Sequence, residues 1–390
     1  MTIEGGKAAG ASKRIRLGMV GGGEGAFIGA VHRMAARLDD HYELVAGALA
    51  STPEKARRSG EALGLAPQRI YADFAAMAAA EAKREDGIEA VSIVTPNHVH
   101  APAARLFLEA GIHVICDKPL TTTLAEAKSL QASVERSGRI FALTHNYTGY
   151  PMVRQAREMV RGGELGTIRV VQVEYAQDWL TERLEATGQK QAEWRTDPAR
   201  SGAGGCIGDI GTHAYNLADF ICGLEVEKLA AELTTFVPGR ALDDNVQIML
   251  RYVGGARGSL WASQVAPGNE NDLAIRIYGE KAGLSWRQTD PNYLTYSPFG
   301  RPPQTIGRSG PGAGAGGAGG ARLPTRPPEG YLEGFATIYS EVAQAIFAAR
   351  AGKKPPAEVL FPTVEDGVKG VAFIEAAVAS SRSGAAWIAL

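Results

Sequence analysis

The feature that most constrains this chain is IRLGMVGGGEGA at residues 15–26. A short apolar run ends directly in a glycine cluster, and helical apolar spacing follows at Ile28, Val31, Met34, Ala35 and Leu38. The segment reads as strand, tight turn, helix. The alternation continues with a strand at 42–50, a helix at 53–63, a strand at 88–96, a helix at 101–110, a strand at 112–119, a helix at 123–137 and a strand at 139–146. Strands and helices in strict alternation predict an α/β fold built on a doubly wound parallel sheet, with residues 1–146 as its domain.

After Tyr150 the grammar changes. Helices are expected at about 151–162 and 211–223. Strands are expected at 168–178, 228–237, 244–253, 257–266, 272–278 and 282–287, several joined by links as short as GEKAG. Short links between strands imply antiparallel neighbours, so residues 147–390 read as an α+β domain with a large, open, mostly antiparallel sheet. The Gly-rich stretch at about 305–325, with SGPGAGAGGAGG at its centre, is expected to be a mobile loop, as a spacer or as a lid. Helical pattern returns at about 330–350 and 363–381.

Composition narrows the function. Lys and Arg number 41 against 42 Asp and Glu, so no basic excess exists to neutralise a nucleic-acid backbone. No apolar run is long enough to span a membrane, and the first residues lack the apolar segment of a secretory signal, which predicts a cytoplasmic protein. Cys116, Cys206 and Cys222 are too few and too scattered for a disulfide framework. No histidine spacing of the HExxH kind is present, so no metal is expected.

Gly21, Gly23 and then Ala26 or Gly29 satisfy a GxGxxG/A turn directly after the first strand. Such a turn brings backbone N–H groups and a helix N-terminus up to a pyrophosphate. Phe27 and Ile28 follow and are candidates to pack on the cofactor. The second strand ends Leu49-Ala50-Ser51-Thr52-Pro53, without the carboxylate that holds an NAD ribose. Ser51, with Lys55, Arg57 and Arg58 nearby, suits a 2′-phosphate, so the cofactor is NAD or NADP with NADP favoured. Thr95, Pro96, Asn97 and His100, and then Asp117-Lys118-Pro119, stand at the carboxyl ends of the next strands, where a nicotinamide would lie. Asp209 and His213 are four residues apart on a predicted helix and share one face. Oxidising an alcohol needs a base for the hydroxyl proton, a task that suits His213 with Asp209 and Lys118 beside it.

Taken together, the glycine turn, TPNHVH (95–100), DKP (117–119) and GDIGTHAYNLADF (208–220) resemble the Gfo/Idh/MocA oxidoreductases, the relatives of glucose-fructose oxidoreductase and inositol dehydrogenase. The resemblance implies an N-terminal Rossmann domain and a second domain whose open sheet joins subunits into a homodimer or homotetramer. It implies that Lys118, matching the lysine of the family's EKP motif, touches cofactor and substrate, that His213 is the acid/base, and that Asp209 helps bind substrate. Two departures stand out: Asp117 replaces the glutamate of EKP, and the glycine loop is longer than in many relatives.

For the substrate, the candidates are His145, Asn146, Tyr147 and Tyr150 after the last strand of the first domain, with Gln177, Asp178, Trp179, Trp194 and Arg195 ahead of His213. Aromatic faces beside hydroxyl-binding amides and charges suit a polyol, although each aromatic equally suits the core. The expected reaction is reversible oxidation of a secondary or anomeric alcohol on a sugar, sugar derivative or cyclitol. The alternatives are an oxidoreductase that keeps its cofactor bound while cycling between two sugars, reduction of an imine or a biliverdin-like substrate, and a non-catalytic NAD(P)-binding sensor.

Overall fold

The computed structural model describes residues 14–390. The first thirteen residues, assigned above to the first domain and read as lacking a secretory signal, lie outside the described residues.

Five strands form the first sheet: β1 (Ile15–Gly21), β2 (Tyr42–Ala48), β3 (Ala90–Val94), β4 (His113–Cys116) and β5 (Phe141–Leu143), all parallel in the order β2-β1-β3-β4-β5. Every residue of β3 and β4 is buried, as a strand covered on both faces requires. On one face lie α3 (Phe74–Glu81), α4 (His100–Glu109) and α5 (Leu124–Ser137), which contribute Met77, Phe107 and Leu130 to the core. Helix α1 (Phe27–Leu38) covers the other face, while α2 (Pro53–Ala62) follows β2. The order reverses between β1 and β3, and the crevice above that reversal is where ligands of such sheets bind.

Helix α1 buries Val31, His32, Ala35 and Ala36, while Met34 and Leu38, which the apolar spacing placed inward, are half-exposed. The reason lies 300 residues downstream. Helix α11 (Tyr331–Arg350) returns to the first sheet and packs Phe335, Ile338, Tyr339 and Val342 against α1, β1 and β3. The Tyr339 hydroxyl lies 2.8 Å from His32 Nδ1 and 2.6 Å from Ser92 Oγ, which rotates the buried face of α1 toward His32.

The second sheet has nine strands: β6 (Ile168–Ala176), β7 (Val226–Thr234), β8 (Asn245–Tyr252), β9 (Arg257–Ser263), β10 (Asp272–Gly279), β11 (Ala282–Arg287), β12 (Tyr293–Pro298), β13 (Gln304–Gly307) and β14 (Ile388–Ala389). Their order is β13-β12-β11-β10-β6-β9-β8-β7-β14. All pairs are antiparallel except β6 with β9, because β6 sits between two meanders, β7-β8-β9 and β10 to β13. Helices α6 (Pro151–Arg161), α9 (Thr212–Cys222) and α12 (Val364–Arg382) cover one face. The alternation on β8, with Val246, Ile248 and Leu250 buried and Gln247 and Met249 exposed, leaves the other face open. Strands β12 to β14 and helix α3 are absent from the sequence expectation. The two strands of β12-β13 are short and polar, and α3 is too rich in alanine to show an apolar stripe.

The Gly-rich stretch differs from expectation. It begins with β13 and includes a short helix, α10 (Ala315–Ala318), docked on α6. Gln155 Oε1 accepts from Gly314 N at 2.7 Å, and Glu158 Oε2 accepts from Gly316 N at 2.6 Å. A Cβ at Gly316 would stand 2.7 Å from Arg154 O, so glycine is what allows this approach. A polar helix face supplies the partners that a hydrophobic core does not.

Candidate active site

Three elements of the first sheet build one end of a cleft of about 560 Å³. In the turn after β1, Gly21 and Gly22 have φ of 76° and 71°. A Cβ at Gly21 would fall 2.6 Å from Val94 O, and one at Gly23 would fall 2.5 Å from Leu49 O. Gly29 resolves the choice left open above: its Cα faces Gly22 so closely that a Cβ would lie 2.3 Å away, so Gly29 provides the close packing of helix on turn, while Ala26 precedes α1 and lines the cleft. Among the described residues no side chain caps the N-terminus of α1, which leaves its first N–H groups open to an anion. Thr95 Oγ1, in a residue lining the cleft, is buried without a partner. Glycine turn, open helix N-terminus and unpartnered hydroxyl all fit a dinucleotide.

Of the residues singled out for the cofactor, Ile28, Ser51, Thr95, Pro96, Asn97, Asp117 and Lys118 line this cleft. Three candidates do not. Phe27 is 67 % exposed, because α1 turns its side chain to solvent. Arg57 is exposed on α2, which buries Ala56, Ser59 and Gly60 and turns Lys55 rather than Arg57 to the cleft. His100 is buried with both ring nitrogens engaged, Nδ1 at 2.8 Å from Pro119 O and Nε2 at 2.9 Å from Thr95 O, so it ties two loops together.

Lys118 leaves the carboxyl end of the first sheet and meets Asp209 from the second half of the chain. Nζ donates to Asp209 Oδ1 at 2.9 Å, and Gln264 Nε2 donates to Oδ2 at 2.9 Å. Arg195 Nε lies 3.2 Å from the same Oδ2, with its guanidinium 4.3 Å above the Trp194 ring. Burial disfavours the Asp209 carboxylate, but Lys118 and Arg195 outweigh it and hold the group well below its ordinary range. Asp117 is fastened separately, by Thr144 Oγ1 at 2.9 Å.

Asp209 sits in a π-helical turn, Ile207–Gly211, that runs directly into α9 and His213. Such turns insert a residue into a helix and re-aim its side chains. Asp243 secures the start of this turn, accepting from Gly205 N at 2.6 Å and Ile207 N at 2.9 Å. Among the described residues no hydrogen bond joins Asp209 to His213. The imidazole is instead boxed edge-on by His145 (centroids 5.4 Å apart) and Tyr147 (5.0 Å), and its Nδ1 has no partner. Burial, then the charge of Lys118, push His213 well below its ordinary value, so the ring is neutral. His145 is lowered to about 3 for the same reasons.

From Tyr147 a hydrogen-bonded chain runs outward: its hydroxyl lies 2.5 Å from Tyr175, which donates to Asn271 at 2.8 Å. Gln177 donates to the same Asn271 oxygen, and Trp179 Nε1 to Gln177 at 2.9 Å. Asn146 is buried with Nδ2 unpartnered. Tyr175, Asn271, Gln264 and Asp243 were not found from the sequence. Each stands at a strand end or in a loop where no local motif distinguishes it from an ordinary polar residue.

Residues 15–145 match the family described as "Oxidoreductase family, NAD-binding Rossmann fold", and residues 153–285 match "GFO/IDH/MocA C-terminal domain". An oxidoreductase from Sinorhizobium meliloti is 58% identical, with a TM-score of 0.88, over 97% of this chain and 100% of that one. The chain belongs to the Gfo/Idh/MocA oxidoreductase family. An inositol dehydrogenase homologue from Azotobacter vinelandii, complexed with NADH and myo-inositol, is 36% identical (TM-score 0.92; 97% and 98% of the two chains). Levoglucosan dehydrogenase of Pseudarthrobacter phenanthrenivorans is 28% identical over 70% of this chain and 73% of its own. This family member is thus an NAD-binding oxidoreductase related to sugar and cyclitol dehydrogenases. Among its described residues no helix is long and apolar enough to cross a membrane.

Proposed function

We propose that the protein interconverts a secondary or anomeric alcohol and its carbonyl on a sugar, sugar derivative or cyclitol. The observation that carries this reading is the Lys118–Asp209 contact at the mouth of the first sheet, one helical turn from a neutral His213. The myo-inositol and levoglucosan named for two relatives support the substrate class.

A bound nicotinamide supplies the hydride acceptor or donor. The Gly21–Gly23 turn, Ala26, Ile28 and Thr95 would hold the dinucleotide, with Ser51 at its adenosine end. Lys118 would donate to the substrate oxygen, and Asp209, with both carboxylate oxygens engaged, holds Lys118 in place. His213 would take the hydroxyl proton when the alcohol is oxidised and return it when the carbonyl is reduced. His145, Asn146, Tyr147, Trp179 and Arg195 form the walls around the polyol.

NAD and NADP both suit the cleft. The absence of a carboxylate after β2, with Ser51 and Lys55 in the lining, favours NADP. Val170, Met249 and Tyr278, exposed on the open face of the second sheet, support a homodimer or homotetramer through that face. The two separate sheets support a division into domains 1–146 and 147–390, with α11 of the second part packed on the first sheet. Free thiols at Cys116, Cys206 and Cys222 suit a reducing cytoplasm.

The test is absorbance at the reduced-nicotinamide band with NAD or NADP and a panel of sugars, glycosides, sugar acids and inositols. A signal abolished by His213→Ala supports the reading; cofactor binding with no turnover across the panel overturns it.

A further inference from the structure

Residues 179–205 belong to the second half of the chain yet form one wall of the cleft above the first sheet. This strap contains helix α7 (Lys190–Arg195) and is docked on the first half, with Asn97 Nδ2 donating to Ser201 O at 2.9 Å and His98 Nδ1 lying 3.4 Å from Arg200 O. Lys190 and Arg200 of the strap line the same cleft as Ser51 and Lys55. Lys190 is exposed, yet it lines the cleft with Lys55 and Arg200, and desolvation there, followed by the charges of those two residues, holds its ammonium below its ordinary value.

Among the described residues neither Lys55 nor Lys190 forms an ion pair, and Arg200 reaches only Glu193, at 3.8 Å. Asp73 and Glu24 also line the cleft, but Asp73 caps α3 through Ala76 N at 2.7 Å and Glu24 lies 3.5 Å from Arg58, and among the described residues neither pairs with Lys55 or Lys190. Asp117 and Asp209 are at the Lys118 end of the cleft. Like charges collected without an anion repel one another, and a phosphate placed between them turns that repulsion into attraction.

We propose that Lys190, together with Lys55, binds a phosphate of the dinucleotide's adenosine half, so that a residue from outside the first sheet clamps the cofactor across the cleft. The proposal rests on the dinucleotide reading of the cleft. It makes cofactor capture depend on the strap, and so links the half that binds nucleotide to the half that carries Asp209 and His213. The phosphate is either the 2′-phosphate of NADP or the pyrophosphate common to both cofactors.

The experiment is calorimetric titration of the full chain with NAD+ and NADP+, at low and high salt, for wild type, Lys190→Gln and Lys190→Glu. A charge-assisted contact predicts roughly tenfold weaker binding in Lys190→Gln, a larger loss in Lys190→Glu, and a shallower salt dependence. A loss confined to NADP+ assigns the 2′-phosphate; an equal loss for both assigns the pyrophosphate. If both affinities stay within twofold of wild type in both variants, the clamp is overturned. Polyol turnover is scored separately, so loss of the substrate reading with an intact Lys190 effect, or the reverse, is distinguishable.

Discussion

Lys118 and Asp209 are 91 residues apart in the chain, and their side chains meet at 2.9 Å in the lining of the cleft. The contact joins the element that would carry the nicotinamide to the turn that leads into His213. Lys118→Ala is therefore expected to lower kcat by about 10²–10⁴. Affinity for the cofactor should change little, because the glycine turn and α1 carry most of it. Steady-state kinetics with parallel cofactor titrations check this, and full activity in the variant removes Lys118 from the chemistry.

The neutral state of His213 bears on the pH dependence of kcat/KM. A base with an ordinary imidazole pKa loses activity as pH falls below about 6.5. In this protein burial and Lys118 lower the value, so His213 stays competent to accept a proton further into acid. The acid limb of kcat/KM is expected well below pH 6.5, and a limb centred at 6.5 in the wild type contradicts it.

Stability should follow a related rule. His32, His100, His113, His145 and His213 are all buried with lowered values, His113 at about 4 and His145 at about 3. The unfolded chain takes up protons at these residues below about pH 6.5, while the folded protein does not. Their contribution is complete above pH 6.5 and is lost as pH falls toward the folded-state values, by about 1.4 kcal/mol per pH unit for each ring. Denaturant unfolding at pH 7.5, 6.0 and 4.5 should show a steep decline; a flat profile refutes it.

Asp243 holds the turn that presents Asp209, and burial pushes its carboxyl up to about 6. In Asp243→Asn one of the two N–H groups, on Gly205 or Ile207, meets an amide NH₂ instead of an oxygen. The expected cost is about 1–3 kcal/mol of stability. A lowered kcat in the fraction that remains folded should accompany it, with cofactor affinity kept. Unchanged kcat limits Asp243 to stability alone.

Arg308 is buried and gathers the Gly-rich stretch, donating to Leu323 O at 2.6 Å and Pro327 O at 2.6 Å and pairing with Glu329 at 3.2 Å. Arg308→Ala leaves Glu329 buried without its cation, a change that costs about 3–5 kcal/mol for a buried pair. Limited proteolysis should then cut between residues 309 and 326 in the variant and spare the wild type.

What the sequence determined by itself is what local chemistry encodes. The glycine turn after an apolar strand, the strict βα alternation to residue 146 and the short links after residue 226 specify the first sheet and strands β6 to β11 of the second, since each depends on φ, periodicity and loop length within a few residues. The motif positions Lys118, Asp209 and His213 were legible for the same reason. Tertiary structure alone decided the rest. Only the return of α11 shows which face of α1 is buried, and only the docking of the strap brings Lys190 and Arg195 to a cleft built by the other half. His213 lies among His145, Tyr147 and Tyr175 without a bond to Asp209, and the Gly-rich stretch is held by Gln155, Glu158 and Arg308. These contacts join residues tens to hundreds of positions apart, and no spacing rule within one element carries their geometry.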